Sequence, residues 1–155
     1  MVLPLILTLL SSQVPTQASD EQAAALRVVE LVNLERRKAG CQSLSVNPQL
    51  TAAAQAHSDN MHNRHFFSHV DPEGRQPWDR MLKAGYRYRI AAENIGAGFS
   101  TPEAMVRGWM NSPGHRANIL NCKLEETGVG YVHDVEEGPP LRWRFYWTQD
   151  FGVGH

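Results

Sequence analysis

Trp143-Arg144-Phe145-Tyr146-Trp147-Thr148-Gln149-Asp150-Phe151 is the stretch that decides the fold of this 155-residue chain. Trp143, Phe145, Trp147 and Phe151 recur at period two, interrupted only by Gln149, with Arg142, Arg144 and Tyr146 on the other side. That alternation predicts a β-strand with one buried face. Thr127 to His133 also alternates and carries β-branched and aromatic residues, which predicts a second strand, set off from the first by the loop Glu136-Glu137-Gly138-Pro139-Pro140. Tyr86 to Ile95 reads as a third extended segment, with the alternating Tyr86-Arg87-Tyr88-Arg89 as an amphipathic strand rather than a stacking platform for nucleic acid or glycan.

Upstream of these strands the period changes to that of helices. Ser19-Asp20-Glu21-Gln22 reads as a capping box, followed by Ala25, Val28 and Val32 at helical spacing. Arg36, Arg37 and Lys38 suit the negative end of that helix as a solvated charge run, and Gly40 suits its stop. Asn47-Pro48 opens a second helix with Leu50, Ala53, Ala54, His57 and Met61 on one stripe, ending near Asn63. Asp71-Pro72-Glu73-Gly74 is a turn, Pro77 opens a short helix that Gly85 closes, and Thr101-Pro102-Glu103 caps a helix whose Met105, Val106 and Trp109 share a face. Ser112-Pro113 breaks that helix and starts another turn, which carries His115. Helices before and between antiparallel strands give an α+β class, with helices packed on a small sheet.

A length of 155 residues with 42% hydrophobic and 20% charged content fits one globular domain. The net charge of -1 gives no field that would attract polyanions, so nucleic acid is not an expected partner. Val2 to Leu10 is an apolar run too short to span a bilayer but long enough for the core of a secretory signal peptide, with Thr16 and Ala18 at suitable cleavage positions and no basic residue ahead of it. Residues 1–18 are therefore expected to be a leader and residues 19–155 a single secreted domain with no transmembrane segment. Cys41 and Cys122 are the only cysteines. In an exported protein an even count favours a disulfide, with two buried free thiols as the alternative.

Four blocks now stand in order: Phe66-Phe67-Ser68-His69, Ala92-Glu93-Asn94-Ile95-Gly96, Trp109-Met110-Asn111-Ser112-Pro113-Gly114-His115-Arg116 and Tyr146-Trp147-Thr148-Gln149-Asp150-Phe151-Gly152. From about Ala25 to Gly152 the chain resembles the bacterial branch of the CAP superfamily, the cysteine-rich secretory, antigen-five and pathogenesis-related proteins. The resemblance implies an α-β-α sandwich with a three-stranded antiparallel sheet between helical layers and a cavity beside it. In the animal and plant branches two His and two Glu line that cavity. Carried over by motif, these are His69, Glu93 and His115, and Ser112 stands where the fourth, acidic member would be.

Two imidazoles and a carboxylate suit zinc or a similar divalent metal, with His69 and His115 as ligands and a position left for water. A metal-free polar network centred on Glu93 is the equal alternative. For hydrolysis by zinc-bound water, Glu93 is the candidate base, and no helical HExxH arrangement is present. His57, His62 and His65 are assigned no metal, His57 being read as a core histidine. No serine sits in a nucleophile-elbow frame, and Gly96-Ala97-Gly98 lacks the Lys of a phosphate loop, so these glycines are read as permitting close backbone approach. The expected function is a secreted or cell-envelope binding module for an extracellular ligand such as a lipid or cell-wall component. A zinc-assisted hydrolase and a disulfide-tied interaction domain are the rivals. The balance of these readings lies on the side of binding rather than catalysis.

Overall fold

The alternating C-terminal segment is a strand, but it is buried on both faces. The computed structural model describes residues 16–136 and 143–155, so the apolar run Val2–Leu10, most of the expected Glu136–Pro140 loop and Arg142 lie outside the described residues. The C-terminal strand β4 (Phe145–Gly154) lies between β3 (Glu126–His133) and β2 (Tyr88–Ala97), antiparallel to each. A two-residue strand β1 (Ser45–Val46), which the sequence did not announce, pairs in parallel with β3 and completes the order β1-β3-β4-β2. A central strand flanked by two helical layers has no solvent face. Trp147 and Phe151 join one core, whereas Tyr146 joins another on the opposite side.

The first layer contains α1 (Gln17–Lys38), α4 (Pro102–Met110) and α5 (Pro113–Ile119). Val28, Val32, Met105, Trp109 and Ile119 from these helices meet Val129, Tyr131, Trp147 and Phe151 of the sheet in the largest hydrophobic cluster. The second layer contains α2 (Pro48–Asn63) and α3 (Pro77–Lys83), which bury Leu50, Ala53 and Met81 against Tyr86, and Met61 against Ile95 and Tyr146. The result is the α-β-α sandwich of the α+β class. No described helix is long and apolar enough to cross a membrane.

Local chemistry sets the ends of the helices. Asn47 caps α2 by accepting from the backbone N–H of Gln49 and Leu50, and Thr101 caps α4 through the N–H of Ala104. Gly40 stops α1 with φ +83°, a conformation that costs a Cβ-bearing residue strain. Two expectations need correction. Helix α1 starts at Gln17 with Thr16 rather than Ser19 at the N-cap, and the Ser19 hydroxyl donates back to the Thr16 carbonyl at 2.6 Å while Gln17 bonds Glu21 one turn on. Arg36 is not part of a solvated charge run. It is fully buried and donates to the carbonyls of Gln42, Ile119, Asn121 and Leu124.

Cys41 and Cys122 form a disulfide across a Cα–Cα distance of 4.9 Å, tying the end of α1 to the loop after α5. On the other side, α2 lies directly on β3. A Cβ added at Gly130 would come within 2.3 Å of the Gln55 backbone nitrogen, and one at Gly128 within 2.0 Å of the Thr51 nitrogen. The obstacle is helix backbone, which cannot rotate away. Gly130→Ala is therefore expected to destabilise the protein by roughly 2–3 kcal/mol, the upper part of the usual overpacking range, as read by urea unfolding.

Candidate functional site

The site forms at the outer edge of β2, between the segment that carries Phe67 and helices α4 and α5. Successive β2 residues point to opposite layers, so Glu93 and Asn94 serve different sides of one site. Asn94 Nδ2 donates to the His115 carbonyl at 3.1 Å, and Asn118 Nδ2 donates to Asn94 Oδ1 at 2.8 Å. These bonds hold α5 to the strand. Trp109 Nε1 donates to the Ile95 carbonyl at 2.9 Å and does the same for α4. A Cβ at Gly96 would fall 2.2 Å from Met105 Sδ, so this glycine permits the close approach of α4 to β2.

On the other layer, Glu93 is engaged through both oxygens. Its Oε1 accepts from His69 Nδ1 at 2.7 Å and its Oε2 from Arg80 Nη2 at 2.7 Å. Arg80 also donates to the His69 carbonyl at 2.8 Å, so one guanidinium positions both members of the His69–Glu93 pair. The Glu93 side chain is 1% exposed and that of His69 47% exposed. The imidazole thus reaches solvent with a buried carboxylate behind it. Burial pushes the Glu93 carboxyl up, but the hydrogen bond from His69, the charge of Arg80 and a bond to Asp150 outweigh this and hold it below its usual range.

Asp150 lies directly across the ladder from Glu93 and is fully buried. Neither of its oxygens receives an N–H or O–H from the other described groups. Burial, then the charge of Glu93 and the hydrogen bond between the two carboxyls, raise it well above the usual range. Of the two facing carboxyls, Asp150 is thus the one that burial and its neighbour's charge favour in the neutral form. His57 packs behind them, fully buried, with Nε2 against the Ser68 carbonyl at 2.9 Å, and burial lowers its pKa. It is a core histidine, as the sequence suggested.

His115 is half-buried, and its Nδ1 is 2.8 Å from Ser112 Oγ. Although Ser112 stands at the N-cap of α5, its hydroxyl makes no bond to the helix end and faces His115 instead. Burial, and then the proximity of His69, push His115 below the ordinary histidine pKa. His115 and Ser112 line an apolar pocket of about 300 Å³ whose walls include Phe67, Phe99, Trp109 and Trp143. Trp143 therefore edges this pocket, whereas Trp147 and Phe151 of the same aromatic series are core. Among the described residues no group of three or more His, Cys, Asp or Glu is placed to hold a metal ion.

The structure thus brings His69 and Glu93 into direct contact, while His115 stands on α5, tied to the same strand through Asn94. Reading the sequence missed Arg80, Asp150 and the role of Ser112. Asp150 carried a usable signal, a lone acid within an otherwise uncharged strand from Phe145 to Gly154.

Residues 29–151 match the family model described as the cysteine-rich secretory protein family, CAP. The chain belongs to the CAP family. Among its relatives, the uncharacterized Bacillus subtilis protein YkwD is 42% identical over 133 residues, covering 86% of this chain and 48% of YkwD. The membrane protein YlbC of the same organism is 30% identical, covering 88% of this chain and 38% of its own length. An extracellular protein of Bacillus anthracis containing an SCP domain superposes with a TM-score of 0.77 at 31% identity, over 91% of this chain and 45% of that one. An outer surface protein of Borrelia burgdorferi gives the same score at 17% identity, over 88% of this chain and 96% of that one, a likeness of fold alone. This CAP domain spans about half the length, or less, of the curated relatives that it matches.

Proposed function

We propose that this CAP domain is an extracellular or cell-envelope binding module in which His69 and His115 can hold a divalent cation beside an apolar pocket that receives part of the ligand. The observation that carries this reading is the way both imidazoles are held. Each has Nδ1 against a protein oxygen, Glu93 for His69 and Ser112 for His115. If Nδ1 carries the hydrogen in each ring, Nε2 presents a lone pair; a carboxylate such as Glu93 is the usual support behind a metal-ligating histidine, and the Ser112 oxygen can accept in the same way. The lowered pKa of His115 keeps it neutral as pH falls toward the ordinary histidine range, so protons compete less with a cation. A cation bound there would act as a Lewis acid toward a ligand oxygen.

Glu93 is better suited to orienting His69 than to serving as ligand or base, because both oxygens are taken and the side chain is buried. The hydrolase reading therefore has less support than the binding reading. The pocket beside His115 favours an apolar or ring-bearing moiety, as a lipid or cell-wall component offers. Export is supported by the disulfide, a bond kept in oxidising compartments, and by the similar Bacillus anthracis protein described as extracellular.

Zinc titration by calorimetry at neutral pH tests the site. The native protein is expected to bind zinc, while His69→Ala and His115→Ala lose the heat. Glu93→Gln should weaken binding by about 10–100-fold, the usual effect of removing such a support. Equal heats in native protein and both alanine variants would refute the two-histidine site.

A further inference from the structure

At the other edge of the sheet, between α1 and α2, lies a trough of about 730 Å³. It continues the line of β1, which pairs with β3 only through Ser45 opposite Glu126 and Val46 opposite Thr127 before Asn47 caps α2. Beyond that point the odd-numbered residues of β3 turn their backbone groups away from β4. Thr127 accepts from the Asn47 N–H. Tyr131 donates its N–H to Gln55 Oε1 at 3.1 Å and accepts from Gln55 Nε2 at 3.0 Å. His133 donates to Glu21 Oε1 at 3.0 Å and accepts from Gln17 Nε2 at 2.8 Å. At Tyr131 and His133 side chains take the place of a neighbouring strand.

Val129 sits between Thr127 and Tyr131 in the same alternation and lines the trough, and among the described residues no side chain bonds its backbone. The apolar walls include Leu26 and Val46, each 47% exposed. Among the described residues Glu21 and Asp59 are the charged members of the lining, each with one oxygen already bonded to a protein donor, and no Lys, Arg or His joins them.

We propose that this trough accepts an extended, lysine- or arginine-bearing segment of a partner polypeptide as an additional strand on β3. The segment pairs with Val129, displaces Gln55 to pair with Tyr131, and sets its cations against Glu21 and Asp59. A peptide backbone fits because the floor of the trough is itself the edge of a strand, which main-chain N–H and C=O groups satisfy. An acyl chain would fill the apolar walls but leave the Val129 N–H and C=O without partners. The trough lies across the sheet from the histidines, so it stands or falls independently of the proposed cation site.

The test is NMR titration of the ¹⁵N-labelled protein with a seven-residue peptide that alternates lysine and valine, and with its counterpart carrying glutamate for lysine. The lysine peptide is expected to shift the amides of Val129 and Tyr131 and the side-chain amide of Gln55 saturably, and the glutamate peptide to leave them in place. Gln55→Ala removes the internal competitor for Tyr131 and should tighten binding by roughly three- to tenfold, the equivalent of one ordinary hydrogen bond. Ala52→Arg, on the exposed wall, should weaken it by about tenfold or more while the β2 amides keep their positions, the sign of an intact fold. Equal response to both peptides, or no shift at Val129 and Tyr131, would overturn the proposal. So would palmitate shifting these amides where the lysine peptide does not, or their moving with protein concentration alone, as self-association requires.

Discussion

Arg36→Ala should cost roughly 3–5 kcal/mol, at the upper end for single substitutions, because several buried acceptors lose their donor at once. Arg36 is fully buried and its guanidinium reaches four backbone carbonyls, those of Gln42, Ile119, Asn121 and Leu124, at 2.8–2.9 Å. Alanine would strand these acceptors in the interior, where each unpaired group costs about 1–3 kcal/mol, offset in part by no longer burying a cation. Burial lowers the Arg36 pKa from its ordinary value, yet arginine stays charged at any physiological pH, so the effect should show little pH dependence. Arg36→Lys should recover only part of the loss, because a single ammonium cannot span carbonyls arranged around a planar fork. Urea unfolding of the three proteins checks this, and a loss below about 1 kcal/mol for the alanine variant would show that water replaces the guanidinium.

Removal of the disulfide should have a comparable effect. The Cys41–Cys122 bond closes a sequence separation of 81, for which loop-closure entropy gives about 4 kcal/mol. The Cys41→Ala/Cys122→Ala variant is expected to melt well below the native protein, and native protein treated with reductant should approach it. Thiol labelling of the unfolded, unreduced chain should find no free cysteine. Arg36 and the disulfide secure the same two segments, the turn around Gln42 and the loop from Ile119 to Leu124, so their losses should not add. A combined loss equal to the sum would mean that the two fasten the segments independently.

The sequence was legible where one residue controls its own surroundings. Asn47, Thr101 and Gly40 mark helix ends because capping and positive φ are local effects, and Met105, Val106 and Trp109 share a buried face through helical spacing alone. Arg36 was misread because a basic residue in the last turn of a helix looks solvated, and only a distant loop supplies its carbonyls. The one-sided reading of the last strand failed for a similar reason. Arg142 and Arg144 at its start suggested a wet face, but the residues from Tyr146 to Val153 are buried on both sides of a central strand.

At the candidate site the family blocks pointed to His69, Glu93 and His115, yet their arrangement depends on partners without a local pattern. Arg80 comes from a short helix with only its burial beside Pro77 and Met81 to mark it. Asn94 and Asn118 position His115 through bonds between separate elements. Ser112 sat at a cap position, and nothing in the sequence told that its hydroxyl would turn to His115.

The most direct test is a long-range ¹H–¹⁵N spectrum of the histidine side chains at neutral pH, before and after one equivalent of zinc. His69 and His115 are expected to carry the hydrogen on Nδ1, held by Glu93 and Ser112, and zinc should shift both Nε2 resonances together. Hydrogen on Nε2 in either ring, or zinc moving one of these histidines without the other, would contradict the shared cation site.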